Sequence, residues 1–221
     1  MNNIPRTLAE KVRPRHTALM IVDMQNDFCA QGGYLQRTRA ESGRNPIRVD
    51  ENAAIADRIG VLADAARRSG ATVAWLRSIY DFKYLADAHI AMRDGEGCCL
   101  EGTWGADFFR IQPRDGDVVV DKHTFSGFHE TGLHARLQER GIETLVMTGV
   151  ATNVCVDSTL RHGFFLGYHI VVAEDGVGSG NPVGHEGTLS TVKVNFGEIA
   201  TSSELLRLFG SHAAADALPA L

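Results

Sequence analysis

The sequence predicts an α/β fold: a doubly wound, mostly parallel sheet with helices on both faces. Three observations point there. Short unbroken apolar runs such as Ala18-Leu19-Met20-Ile21-Val22 lack the alternation of a half-exposed strand, so they read as strands buried on both faces. Between the runs lie stretches with apolar residues at helical spacing, and parallel neighbours need such crossovers. The chain has 221 residues, 44% of them hydrophobic, enough for one core, and residues 1–221 are expected to form a single domain.

The elements follow in chain order. Ala18–Val22 is the first strand and ends at Asp23. Val49–Ser69 is a helix with Ile55, Ile59, Leu62 and Ala66 on one stripe, stopped by Gly70 as a C-terminal glycine stops helices. Ala71–Leu76 and Asp117–Val120 are the next strands, the latter ending near Lys122. Gly132–Arg140 is helical and closes at Gly141; Thr144–Met147 is a strand, and Asp157–Gly167 a helix. His169–Ala173 is a strand, Asn181–Val194 a helix, a short strand lies near Ile199, and Ser203–Phe209 is the last helix. Ser78–Gly116, with Gly95, Gly97, Gly102 and Gly105, is the least regular stretch and reads as a long insertion or lid.

Composition excludes several classes. There are 22 Lys and Arg against 27 Asp and Glu, a net charge of -5, and no basic stripe, so no nucleic-acid partner is expected. The apolar runs are too short to span a bilayer, and Met1–Arg15 is polar, without an apolar signal core; no membrane partner and a cytoplasmic location are expected. Cys29, Cys98, Cys99 and Cys155 are too few for a disulfide framework and show no paired metal spacing.

In doubly wound sheets, sites form beyond the carboxyl ends of the strands, and Asp23, Lys122 and Cys155 all lie there. Cys155 follows Leu145-Val146-Met147 and the small-residue turn Thr148-Gly149-Val150-Ala151-Thr152-Asn153-Val154. A thiol at a strand-to-helix turn sits near backbone N–H groups and a positive dipole end, which both favour thiolate. Asp23 could take its proton and Lys122 could stabilise the charge. Each residue also has a plainer role: buried free cysteines pack as small hydrophobes, aspartates after strands bind loop amides, and a lysine beside Asp121 can be a surface residue.

Together, Val22-Asp23-Met24-Gln25-Asn26-Asp27-Phe28, Asp121-Lys122 and Gly149-Val150-Ala151-Thr152-Asn153-Val154-Cys155 resemble the isochorismatase-like cysteine hydrolases. The resemblance runs from about His16 to Phe209. It implies a Cys–Asp–Lys triad with Cys155 as nucleophile, Asp23 as base then acid, and Lys122 as electrostatic partner. It also implies a cis Val150–Ala151 peptide, with the N–H groups of Ala151 and Cys155 forming an oxyanion hole. Lys122-His123-Thr124-Phe125-Ser126-Gly127-Phe128 and the segment from Ala151 to Arg161 look most like ureidoacrylate amidohydrolases. Related enzymes act on biuret, triuret or N-carbamoylsarcosine. The expected activity is therefore cleavage of a C–N bond in a small ureido or carbamoyl amide, by a homo-oligomer (dimer or tetramer) without a cofactor.

The rivals within the resemblance are isochorismatase, which lacks the cysteine, and nicotinamidase, whose metal site includes an Asp-x-His pair after the second-helix region. No such pair is expected between Asp50 and Arg93, the histidines show no zinc spacing, and no metal is predicted. A catalytically idle binding protein on the same fold is the reading from another class. For substrate contacts, proximity to the motifs favours Asn26, Phe28 and Phe128, with Trp104 as a lid residue; Phe164 is a further aromatic near the motifs. An anionic substrate wants a basic clamp, for which Arg37, Arg39, Arg77 and Lys83 are candidates; a neutral polyurea needs hydrogen-bonding groups instead. Cys98-Cys99 is expected to pack within its loop, and Cys29 either packs or lines the pocket.

Overall fold

The apolar runs pair as one wholly parallel sheet in the computed structural model, which describes residues 4–42, 48–92 and 97–210, the side chains of 39–42 aside. Gly95 and the side chain of Arg39 lie outside the described residues. The strands are β1 (Thr17–Val22), β2 (Thr72–Ser78), β3 (Val118–Lys122), β4 (Thr144–Val150), β5 (His169–Gly178) and β6 (Gly197–Ala200). Their order across the sheet is β3-β2-β1-β4-β5-β6. The order reverses between β1 and β4, the topological switch where ligand crevices open in doubly wound sheets.

The helices are α1 (Leu8–Lys11), α2 (Asn26–Cys29), α3 (Tyr34–Ser42), α4 (Val49–Ser69), α5 (Asp87–Ala91), α6 (Leu133–Gln138), α7 (Asp157–Phe165), α8 (Pro182–Asn195) and α9 (Ser202–Leu208). The α4 boundaries match the expected Val49–Ser69, because Gly70 adopts a left-handed φ of 83° and its N–H closes on Ala66 and Arg67 carbonyls. Among the described residues no helix is long and apolar enough to cross a membrane.

Strand side chains alternate between two cores, as the pleat requires. Leu19 and Ile21 of β1 face α4 and α9, meeting Ile55, Ile59, Leu62, Leu205 and Leu206. Ala18, Met20 and Val22 face the other side, with Leu133 and Leu137 of α6, Leu160 of α7 and Val192 of α8. Both layers are apolar, which is why the strands read as unbroken runs.

The structure extends four strands past their expected ends. β2 reaches Ser78, β3 reaches Lys122, β4 reaches Val150 and β5 reaches Gly178. Small residues at the end of β4 read as a turn, but Gly149 still pairs with Val22. A Cβ at Gly149 would lie 2.1 Å from the Val22 carbonyl oxygen, and the residue's φ is +102°. The glycine lets β1 and β4 approach at the point where both strands deliver their site residues.

The irregular segment between β2 and β3 has a core of its own. Ile79, Tyr80, Leu85, Cys98, Cys99 and Ala106 pack together, with Phe28 and Tyr34 against them. Short bridges, Gln25 to Phe108 and Tyr80 to Cys98, stitch the segment to the first loop and to itself.

Gly149→Ala combines a left-handed backbone strain of about 1–3 kcal/mol with overpacking of about 1–3 kcal/mol. The variant is expected to lose about 3 kcal/mol or more of stability, measured as a lowered denaturant midpoint with an unchanged m-value.

Candidate active site

The site begins with the residue after β1. Asp23 has a left-handed φ of 51°, unusual for a side-chain-bearing residue. It is held there by its N–H to Leu76 O (3.0 Å) and by Gln25 N–H to its carbonyl (2.8 Å). Gln25 is itself buried and locks the neighbouring strand end: its Nε2 donates to the carbonyls of Ser78 and Ala106, and its Oε1 accepts from Ser78 N–H. Asp27 accepts from the backbone N–H groups of Tyr34 and Cys99. The Asp-Met-Gln-Asn-Asp-Phe motif thus aims one carboxylate and ties down the loops around it.

Lys122 comes from the last residue of β3, two strands away from β1, roughly 10 Å at sheet spacing. A long stem is needed to cross β2. Its Nζ donates to Asp23 Oδ2 (2.9 Å), Ser78 Oγ (2.7 Å) and Thr124 O (3.1 Å). Three donors meet three acceptors, and Ser78 Oγ passes its own hydrogen to Asp23 Oδ1 (3.0 Å). Lys122 is 0% exposed and Asp23 1%.

Cys155 stands on a single wide turn, Thr152–Val156, at the entrance of α7. The Val156 N–H reaches back five residues to Ala151 O (3.3 Å), a π-type turn of the kind found at functional sites. The turn is pinned by Thr152 Oγ1 to His185 Nδ1 (2.8 Å) and by Ser179 Oγ donating to Asn153 Oδ1 (2.6 Å). The Val150–Ala151 peptide is cis. The Cys155 sulfur is close enough to Asp23 to feel its charge and lies 3.8 Å from the Tyr80 hydroxyl, which is 3.5 Å from Lys122 Nζ.

Electrostatics correct one expectation. The turn does not leave a resting thiolate. Burial, and then the Asp23 charge, push the Cys155 thiol up to about 12, against the opposing pull of Lys122 and of the Tyr80 hydrogen bond. Burial works against the Lys122 charge, but Asp23 and the sulfur outweigh it and hold the ammonium above the ordinary lysine range. Burial likewise raises Tyr80 well above a normal phenol. The resting set is a thiol beside a carboxylate–ammonium pair.

The three groups meet at a cavity of about 190 Å³ to which Asp23, Cys155, Tyr80 and Ala151 contribute. Phe28, Ile55, Phe125 and Val154 give it apolar walls, and Arg48, Glu51, Asn52 and Ser179 add polar groups. Phe28 is on the wall, as expected. Asn26 is not: its Nδ2 donates to Trp104 O (2.8 Å) and fastens the loop. Trp104 is 54% exposed and outside the wall. Phe128 is buried in the core against Tyr168, and Phe125, three residues earlier, meets the cavity instead. Phe164 is part of a surface aromatic group with Phe165 and Phe196. Cys29 is buried in the α4-side core rather than on the wall.

Tyr80, Phe125, Asn52 and Arg48 escaped the sequence reading. Tyr80 had a signal, because it follows the carboxyl end of β2 as Asp23 follows β1. Asn52 and Arg48 had none, since α4 reaches the cavity only through packing. The proposed clamps are elsewhere: Arg77 forks onto Asp121 (2.7 and 2.8 Å), Lys83 pairs with Glu101 (2.9 Å), and Arg37 is exposed and off the cavity wall.

An Asp-x-His pair does occur before Arg93, namely Asp87-Ala88-His89. Asp87 is exposed, and the His89 ring packs edge-on to Tyr80 and Phe125. Cys98-Cys99 does have a carboxylate partner: among the described residues, Asp27, Cys98 and Cys99 bring their ligand atoms within 4.8 Å of one another. That neighbour is 72 residues from Cys99, beyond the reach of motif spacing, and both its oxygens already accept backbone N–H groups.

The raised thiol can be read by alkylation. The reaction of Cys155 with iodoacetamide is expected to keep rising about tenfold per pH unit between about pH 7 and 10, because only the thiolate reacts. Asp23→Asn removes an influence that raises the thiol and shifts the profile to lower pH; Tyr80→Phe removes one that lowers it and shifts the profile up. Peptide mapping of the labelled cysteine against pH checks all three.

Comparisons with known proteins agree with this architecture. The isochorismatase domain model matches residues 17–204. The ureidoacrylate amidohydrolase RutB of Enterobacter sp. (strain 638) is 34% identical over 92% of this chain and 94% of that protein. The cysteine hydrolase of Pseudomonas syringae pv. phaseolicola 1448A superposes with a TM-score of 0.80 at 26% identity, covering 96% of this chain and 100% of that one. Nicotinamidase PncA of Bacillus subtilis superposes with a TM-score of 0.71 at 27% identity over 84% and 99%. With its parallel sheet, its strand-end site and a family model spanning most of its length, the chain belongs to the isochorismatase domain family.

Proposed function

We propose that this protein is a cysteine-dependent amidohydrolase that cleaves a C–N bond of a small ureido or carbamoyl amide, with Cys155, Asp23 and Lys122 as its catalytic residues. The observation that carries the reading is a buried thiol beside the carboxylate of a buried Asp–Lys pair, on the wall of a small cavity. The similarity to proteins named ureidoacrylate amidohydrolase supports the bond type and the ureido class.

The geometry suits the following sequence. A thiol with a pKa near 12 attacks only as its proton leaves, and Asp23 is the adjacent acceptor. As sulfur bonds to the carbonyl carbon, Asp23 takes the proton. The negative oxygen settles against the N–H groups of Ala151 and Cys155, donors of the kind worth roughly 10²–10³ in rate each. Asp23 then protonates the departing nitrogen as the C–N bond breaks, leaving an acyl or carbamoyl group on sulfur. Water, deprotonated by the same carboxylate, attacks that group and restores the thiol. Lys122 stays charged throughout, so the buried site keeps one positive charge facing the negative charge that moves from Asp23 to the substrate oxygen and back.

The test is product formation from ureidoacrylate, biuret, triuret, N-carbamoyl amino acids and nicotinamide by the purified protein. Hydrolysis of a ureido member is expected, and silence on all of them with folded protein would remove the reading. Cys155→Ala is expected to show no turnover above the uncatalysed rate while unfolding at a similar temperature. Asp23→Asn is expected to slow turnover by about 10²–10⁴, seen in steady-state kinetics.

A further inference from the structure

The cavity wall carries a charged side chain, Arg48, that the catalytic reading does not use. Arg48 immediately precedes α4 and lines the cavity. Its side chain is 63% exposed, so it sits where the cavity meets solvent, while Cys155 and Asp23 are buried at the reacting end. Among the described residues lining the cavity, Arg48 is the cationic side chain. The other basic groups near the motifs are committed elsewhere, Arg77 to Asp121 and Lys83 to Glu101.

Arg48 is paired with Glu51, Nη2 to Oε1 at 2.5 Å. This pair is exposed on both sides, 63% and 48%, and one turn apart on a helix end. Such exposed pairs contribute little to stability, so a bound carboxylate can displace it. One contact also leaves most of the five guanidinium N–H groups available for a two-pronged bond to a carboxylate.

The walls between the two ends argue in the same direction. Phe28, Ile55, Phe125 and Val154 are apolar. Biuret and triuret carry amide donors and acceptors along their whole length. Against the apolar part of the wall, a polar group left unpaired is costly. A molecule with a ureido group, a short apolar part and a carboxylate matches the buried thiol and carboxylate, the apolar side chains and the single cation among the described residues that line this cavity. The volume of about 190 Å³ suits a small molecule, below the roughly 300–1,000 Å³ of drug-sized pockets.

We propose that Arg48 is the carboxylate-binding residue of this site, and that its substrate is a short monoanionic ureido acid rather than a neutral polyurea. This rests on the amidohydrolase reading above. Arg48 sets specificity through binding and takes no part in bond cleavage.

The experiment compares ureidoacrylate with its primary amide and with biuret, for the wild type, Arg48→Gln and Arg48→Lys. The wild type is expected to prefer the acid over the amide in kcat/KM. Arg48→Gln should reduce that preference at least tenfold, through KM for the acid with kcat changed less than about threefold. Arg48→Lys should recover part of it, since a point charge replaces the fork. An unchanged acid-to-amide preference in Arg48→Gln, or a wild type that favours biuret, overturns the clamp and leaves the amidohydrolase intact. Calorimetric binding of ureidoacrylate to Cys155→Ala, with and without Arg48→Gln, tests the clamp apart from turnover. Binding that weakens at least tenfold without Arg48 supports it even if the wild type hydrolyses nothing, an outcome that removes only the catalytic reading. Equal binding, or none, in the two proteins overturns it.

Discussion

The buried ion pair between Lys122 and Asp23 is the constraint around which the molecule is arranged. Each charge alone would be costly inside the protein, several kcal/mol even after relaxation. Neither is alone: Lys122 has three acceptors, and the Ser78 hydroxyl bridges the pair from the strand between them. The pair joins residues 99 positions apart, from strands that do not touch. It therefore forms only when β3, β2 and β1 are all in register. That register is further secured by Gln25, whose amide clasps the backbone of Ser78.

The same pair governs the thiol. A cysteine at a helix entrance has reason to ionise, yet here burial and the Asp23 charge prevail and the sulfur keeps its proton. A group that stays neutral at rest is cheaper to bury than a charged one. The Tyr80 hydroxyl sits between the sulfur and Lys122, so the segment after β2 takes part in the electrostatics as well as the walls. The left-handed Asp23 is a local strain that its backbone hydrogen bonds hold in place.

The long connection between β2 and β3 has its own small core, which gives an irregular segment defined positions. It delivers Tyr80 and Cys98 to the cavity from one side, while the residue preceding α4 and its first turns deliver Arg48, Glu51 and Asn52 from the other. The buried Asp23, Lys122 and Cys155 come from strand termini and the turn after β4, while much of the rest of the cavity wall comes from elements laid over the sheet.

The sequence by itself determined the sheet, because strands buried on both faces leave unbroken apolar runs and helices leave a 3.6-residue stripe closed by glycines such as Gly70. It also marked Asp23, Lys122 and Cys155, since reactive residues at strand ends converge in any doubly wound sheet. What it misjudged was local: β4 runs through the small residues to Val150 because Gly149 permits close contact with Val22, a property of the partner strand. Tertiary structure alone decided the pocket. Asn26, Trp104 and Phe128 stand near the motifs in sequence, yet side-chain direction sends them to a loop carbonyl, the surface and the core. Arg48, Asn52 and Phe125 reach the cavity through packing between elements, and the state of the Cys155 proton depends on desolvation. Both are sums over neighbours distant in sequence, which no short motif contains.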